Sequence, residues 1–250
     1  MNRNQSLLLF LILGTVLLFI ADSSGFAQIP TGISYHTEPE GDSPLEYFQY
    51  MLFLPQDYYE KSAAAWPLIV YLHGNFQKGT DPQALLSAGL PKILETQTDF
   101  SFLVLAPHCN SLQEYRPDMI VNLIDRISGT IRVDRNRIYL TGWCYGGGAA
   151  WVTAHTYPDR FAALVPVAAP ADVMIDLREL SDLPVWVFHG AKDSDVPASD
   201  SKTMVEALRD CEGNVRFTLY TNLDHDCWER TYTDKSLYRW LLRQDLRHRH

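Results

Sequence analysis

The residue with the clearest chemical potential is Cys144, set in the run Thr141-Gly142-Trp143-Cys144-Tyr145-Gly146-Gly147-Gly148. A nucleophile held on a sharp strand-to-helix turn needs glycine on either side, because side chains there would collide with neighbouring backbone. A helix N-terminus directly after the sulfur favours the thiolate, the form that attacks a carbonyl carbon. Taken alone, Cys144 reads equally well as a small buried core thiol. Two further segments supply what a nucleophile needs. His189-Gly190-Ala191-Lys192-Asp193-Ser194-Asp195-Val196-Pro197 delivers a carboxylate, Asp193 or Asp195, just past a strand-like run. Thr221-Asn222-Leu223-Asp224-His225-Asp226-Cys227-Trp228 delivers an imidazole, His225, just past another. An imidazole that takes the thiol proton, oriented by a carboxylate, makes a complete device for acyl transfer. Asp224 and Asp226 are chain neighbours of His225 and poorly placed to reach its Nδ1, so both read as loop residues.

Acyl transfer also needs donors for a developing oxyanion. The run Leu68 to Leu72 ends in His73-Gly74-Asn75, where the Asn75 N–H can act together with the N–H of Tyr145. His73 itself reads as structural. His108 and Asn110 follow the run ending at Ala106 and are candidates to line a pocket. Trp143, Tyr145 and Trp228 sit at or beside the reactive positions; they suit an apolar substrate wall or, equally, the packing of the elbow and the histidine loop.

The elements that must position these groups follow from hydrophobic patterning. Phe48 to Leu54, Leu68 to Leu72, Phe102 to Ala106, Arg137 to Leu140, Ala163 to Val167, Val185 to Phe188 and Val215 to Tyr220 read as strands. Several are apolar on successive residues, which suits strands covered on both faces. Pro117 to Ile127 opens on a proline and spaces its apolar residues by three and four, as a helix does. Gly146 to Thr156, Ser199 to Leu208 and Ser236 to Leu242 fit the same pattern. Strand and helix alternate, so the expected class is α/β: a mostly parallel sheet with helices on both faces and ligands beyond the carboxyl ends of the strands.

Composition bounds the partners. The 250 residues are 46% hydrophobic and 20% charged, with 21 Lys plus Arg against 30 Asp plus Glu, a net charge of −9. That excludes a disordered chain and argues against nucleic acid as a partner. At the N-terminus, Met1 to Ser6 carries one Arg, Leu7 to Ile20 is mostly apolar, and Asp22 to Gln28 is small and polar. The apolar run is shorter than the roughly 20 residues a bilayer span needs, so residues 1–27 are expected to be a cleaved export signal. One domain, residues 28–250, remains, in a secreted or periplasmic protein with no membrane span after processing. Export makes disulfides relevant to the four cysteines. Cys211 and Cys227 flank one strand and lie about 20 Å apart by strand geometry. A Cys109–Cys227 bridge would brace the histidine loop and leave Cys144 free. No His-Glu-x-x-His motif, paired Cys motif or phosphate loop occurs, so neither metal nor cofactor is expected.

The chain order nucleophile, acid, histidine is that of the α/β-hydrolases. The sequence resembles a compact α/β-hydrolase of the esterase and polyhydroxyalkanoate-depolymerase-like group, related to prolyl-oligopeptidase-type catalytic domains and to dienelactone hydrolase. Beside the elbow and histidine loop, the likeness is carried by Tyr71-Leu72-His73-Gly74, Ala106-Pro107-His108-Cys109, Val133-Asp134-Arg135-Asn136-Arg137, Tyr157-Pro158-Asp159-Arg160-Phe161-Ala162 and Leu183-Pro184-Val185-Trp186-Val187-Phe188-His189-Gly190. It covers nearly all of residues 28–250. The resemblance implies no separate cap domain and a triad of Cys144, Asp193 and His225. Its His-Gly-x-x-Asp spacing selects Asp193 and leaves Asp195 to brace the following turn. Most esterases of the group carry serine where Cys144 stands, and dienelactone hydrolase carries cysteine. The implied substrate is a small-molecule or polymer ester; a lactone or thioester hydrolase and a non-catalytic binding protein are the alternatives. Oligomeric state is not legible.

Overall fold

The computed structural model describes residues 29–39, 47–61, 65–97, 99–110, 114–171 and 174–249. The expected export signal lies outside them. In chain order the strands are β1 (Gly32–Pro39), β2 (Tyr47–Leu54), β3 (Trp66–Leu72), β4 (Leu103–His108), β5 (Val133–Trp143), β6 (Ala163–Val167), β7 (Val185–Gly190) and β8 (Val215–Tyr220). They pair in the order β1-β2-β4-β3-β5-β6-β7-β8. The pairings of β2 with β1 and with β4 are antiparallel, and the rest of the sheet is parallel. The central strands are the unbroken apolar runs of the sequence: every residue of β3, β4 and β6 is buried. A strand buried on both faces gains nothing from polar alternation.

The helices are α1 (Gly89–Leu94), α2 (Pro117–Thr130), α3 (Tyr145–Thr156), α4 (Ala198–Asp210), α5 (Trp228–Thr233) and α6 (Lys235–Leu241). One large core joins a sheet face, including Met51, Ile69, Tyr71, Val104, Tyr139 and Phe188, to Leu90 of α1, Tyr232 of α5 and Leu237, Trp240 and Leu241 of α6. Alternate residues of the same strands, such as Leu68, Val70, Leu105 and Leu140, are also fully buried. Alternation points them to the opposite face. There α3 packs along β5, β6 and β3, and α4 along β7 and β8. Residues Thr31–His250 make one compact unit. Among the described residues no helix is long and apolar enough to cross a membrane.

The expected disulfide does not form: none of Cys109, Cys144, Cys211 and Cys227 is joined to another by a disulfide. Cys109 follows β4 and Cys227 follows β8, and these strands stand five places apart in the sheet. At about 4.8 Å per strand that is about 24 Å. The loop after β8 turns back toward the elbow on β5, not as far as β4.

Candidate active site

Cys144 occupies the turn between β5 and α3 with φ 55° and ψ −121°, a conformation that L-residues rarely adopt. Such backbone costs on the order of 1–3 kcal/mol and persists only where its surroundings enforce it. Here the Cys144 N–H donates to Val167 O of β6 at 3.0 Å, while Gly147 and Gly148 N–H donate to Cys144 O at 2.9 and 3.1 Å. The flanking glycines permit the crossing. A Cβ on Gly142 would sit 2.1 Å from Gly146 O, and one on Gly146 would sit 2.0 Å from Leu72 O. Helix α3 therefore starts pressed against the end of β3, and the sulfur projects above the sheet, half-buried.

Asp193 and His225 arrive from the ends of β7 and β8. His225 Nδ1 lies 2.8 Å from Asp193 Oδ2. The Asp193 carboxylate is wholly buried, and its other oxygen accepts the N–H groups of Asp195 at 3.0 Å and Val196 at 2.8 Å. Asp195 is exposed and meets Asp193 through that N–H. The Cys144 thiol also stands within electrostatic reach of the His225 ring. Burial alone would lower the imidazole pKa. The hydrogen bonds and charges of Cys144 and Asp193 outweigh it and raise the value to about 9. Cys144, His225 and Asp193, the three residues expected to act together, thus stand in one line. Asp224 and Asp226 stay in the loop, the first accepting the Asp226 N–H and the second the Trp228 indole N–H.

The candidate oxyanion donors flank this line. Tyr145 is the first residue of α3 and Asn75 the first of a 3-10 turn, Asn75–Gln77, so neither N–H has a partner within its own helix. The turn is held against the elbow: Phe76 meets the Trp143 ring edge-on at 5.2 Å between centroids. Gln77, which no sequence motif singles out, is fully buried. Its Oε1 accepts the Gly74 N–H at 3.1 Å, and its Nε2 donates to Ala84, Leu85 and Ala88 carbonyls at 3.3, 3.0 and 3.3 Å. His73 is structural, as expected. Its Nδ1 donates to Gly74 O at 2.8 Å, and its Nε2 accepts the Cys109 N–H at 3.0 Å. Burial lowers its pKa to about 4, so the ring stays neutral as these bonds require.

Two expected lining residues are not at a surface. His108 is 1% exposed and its Nε2 donates to Gln77 O at 3.0 Å, because it is the last residue of β4 and not part of the loop beyond. Trp143 is also 1% exposed. Its indole donates to His225 O at 3.0 Å and its rings lie 5.2 Å from His225 and 6.1 Å from Trp228. Packing, and not substrate contact, is what Trp143 supplies. Trp228 is half-buried at the rim. The Tyr145 ring stacks on Tyr115 at 5.5 Å with the Lys78 ammonium 4.2 Å above it, and its hydroxyl donates to Glu114. Among the described residues no cluster of side chains could hold a metal ion.

Known proteins share both the fold and this sequence region. The chain is similar to a thermostable esterase of known structure, with 27% identity and a TM-score of 0.72 over 85% of this chain and 63% of that one. It also resembles the S-formylglutathione hydrolase of Staphylococcus aureus, at 17% identity and a TM-score of 0.62 over 86% of this chain and 98% of that one. The architecture is the α/β-hydrolase fold. A candidate carboxymethylenebutenolidase of Yersinia pestis is 31% identical over 104 residues, 37% of this chain and 38% of that protein. Another from Methylorubrum extorquens is 30% identical over 110 residues, 39% of this chain and 36% of that protein. The chain thus spans less than two fifths of the length of these curated relatives. The model of the dienelactone hydrolase family matches residues 97–236, more than half of the chain and the stretch that carries the elbow, Asp193 and His225. This chain belongs to the dienelactone hydrolase family.

Proposed function

We propose that this protein hydrolyses carboxylic esters, with lactones as a second substrate class, through a thioester formed on Cys144. The observation that carries the reading is the meeting of three groups: His225 Nδ1 is hydrogen-bonded to the buried Asp193 carboxylate, and the Cys144 thiol stands within electrostatic reach of the same ring. His225 holds the thiol proton as imidazolium, and the sulfur adds to the substrate carbonyl. The N–H groups of Asn75 and Tyr145 receive the oxyanion. As the intermediate collapses, the C–O bond breaks and the leaving alkoxide takes the His225 proton. A water then gives its proton to His225 and attacks the thioester, and the acid departs as sulfur returns to its starting state. Asp193 stays ionised throughout and keeps the imidazole oriented. In a lactone the alkoxide stays tethered to the acyl group, and the steps are otherwise the same. Family membership supports the lactone reading.

The test is a panel of nitrophenyl esters, enol lactones and thioesters given to purified protein. Turnover that disappears on alkylation with iodoacetamide and in Cys144→Ala is the expected result. Absence of turnover on the whole panel would make this a hydrolase-fold binding protein. We further propose that residues 1–27 direct export. Mature protein recovered outside the cytoplasm with an N-terminus near Gln28 supports this, and an intact cytoplasmic chain refutes it.

A further inference from the structure

Strand β7 ends in a second imidazole that the acyl-transfer chemistry leaves unused. His189 is fully buried, as is the Asp193 carboxylate. Its Nε2 lies 3.0 Å from Val196 O and 3.1 Å from Asp193 Oδ2. A carbonyl oxygen only accepts, so Nε2 carries a proton, which it donates to Val196 O, and the same N–H edge stands beside Asp193 Oδ2. Nδ1 is 2.7 Å from Ser201 Oγ on α4, and the serine hydroxyl donates to it when the ring is neutral. Asp193 Oδ2 is therefore shared: His225 Nδ1 approaches at 2.8 Å and His189 Nε2 at 3.1 Å.

We propose that His189 is a positioning residue that sets how tightly His225 holds its proton, by setting the positive end of its Nε2–H dipole beside the same carboxylate oxygen. A carboxylate oxygen that already faces one N–H dipole offers less to a second donor, so the imidazolium is stabilised less than by a carboxylate without that neighbour. The other titratable groups around the pair are Cys144 from the elbow and Cys227, buried at the start of α5, with Asp195 and Asp226 exposed on the flanking loops. On α4, Asp200 is engaged with the Ala171 N–H and Lys202 is exposed. The inference rests on the catalytic reading of Asp193 and His225, but its test reads His225 directly and not through turnover.

Nitrogen-detected NMR titration of the histidines in the full-length protein decides it. In the wild type, His189 should be protonated at Nε2 and bare at Nδ1; the opposite tautomer overturns the proposal. In His189→Phe, which offers no donor, the His225 midpoint should rise by about half a pH unit or more. In His189→Gln, whose amide N–H reaches the Nε2 position, it should return toward the wild-type value. A midpoint unchanged or lowered in His189→Phe overturns the proposal. If that variant does not fold, the wild-type tautomer and the Gln variant still decide, since a Gln midpoint displaced upward as if no donor were present also refutes it. Ester turnover in the wild type without the midpoint shift would sink this inference alone. The shift without turnover would sink the functional reading alone.

Discussion

Trp143 and His225 are coupled twice: the indole N–H donates to the His225 carbonyl at 3.0 Å, and the two rings lie 5.2 Å apart. The residue before Cys144 thus fixes the loop that carries His225. In Trp143→Phe the hydrogen bond is lost inside a packed site, which should cost about 1–3 kcal/mol of stability. Turnover should fall through kcat with KM little changed. Urea unfolding and steady-state kinetics on one ester check both, and a variant with wild-type kcat would refute the coupling.

Backbone strain at Cys144 makes a separate prediction. Cys144→Ala and Cys144→Gly both remove the sulfur and should both abolish turnover. Only glycine is at ease at φ 55°, so the Gly variant should be more stable than the Ala variant by about 1 kcal/mol. Equal unfolding midpoints would mean that the turn holds no strain.

His225 and His73 should respond to pH in opposite windows. His225 is raised to about 9 from the ordinary 6.5. Its contribution to stability is complete below about 6.5 and disappears as pH rises through about 9. His73 is lowered to about 4 by burial, so its contribution is complete above about 6.5 and is lost as pH falls toward 4. Urea midpoints measured from pH 4 to 10 should decline at both ends. His225→Gln should flatten the alkaline decline and leave the acid one.

Gln77 ties Gly74 N–H to three carbonyl groups. Gln77→Leu would strand these buried groups and should cost about 1–3 kcal/mol. Because the bonds hold the turn that presents Asn75, kcat should fall more than KM rises. Unaltered kcat in a folded variant would remove the turn from the oxyanion device.

Most of the architecture was legible because parallel strands are buried on both faces and stand out as apolar runs: β6 and β8 occupy the spans read from the sequence. Strand β1 escaped notice, since an edge strand carrying Ser34, His36 and Thr37 has no such run. Helices α1 and α5 are six residues each, too short to show a 3.6-residue period. The candidate site was readable where chemistry follows strand ends, which is how Cys144, Asp193 and His225 were found. Gln77 and His189 were not, because their partners come from segments whose approach no local pattern encodes. His108 was misplaced for a related reason: β4 continues two residues past the apolar run and carries the ring inside.

Strand β8 borders the sheet and has no fully buried residue, yet the loop it launches carries His225. An outermost strand is the first to detach when denaturant is added. Catalytic competence should therefore vanish at a lower urea concentration than the far-ultraviolet signal of the remaining sheet. During refolding, activity should be the last property to return, a timer for the final rung of the ladder.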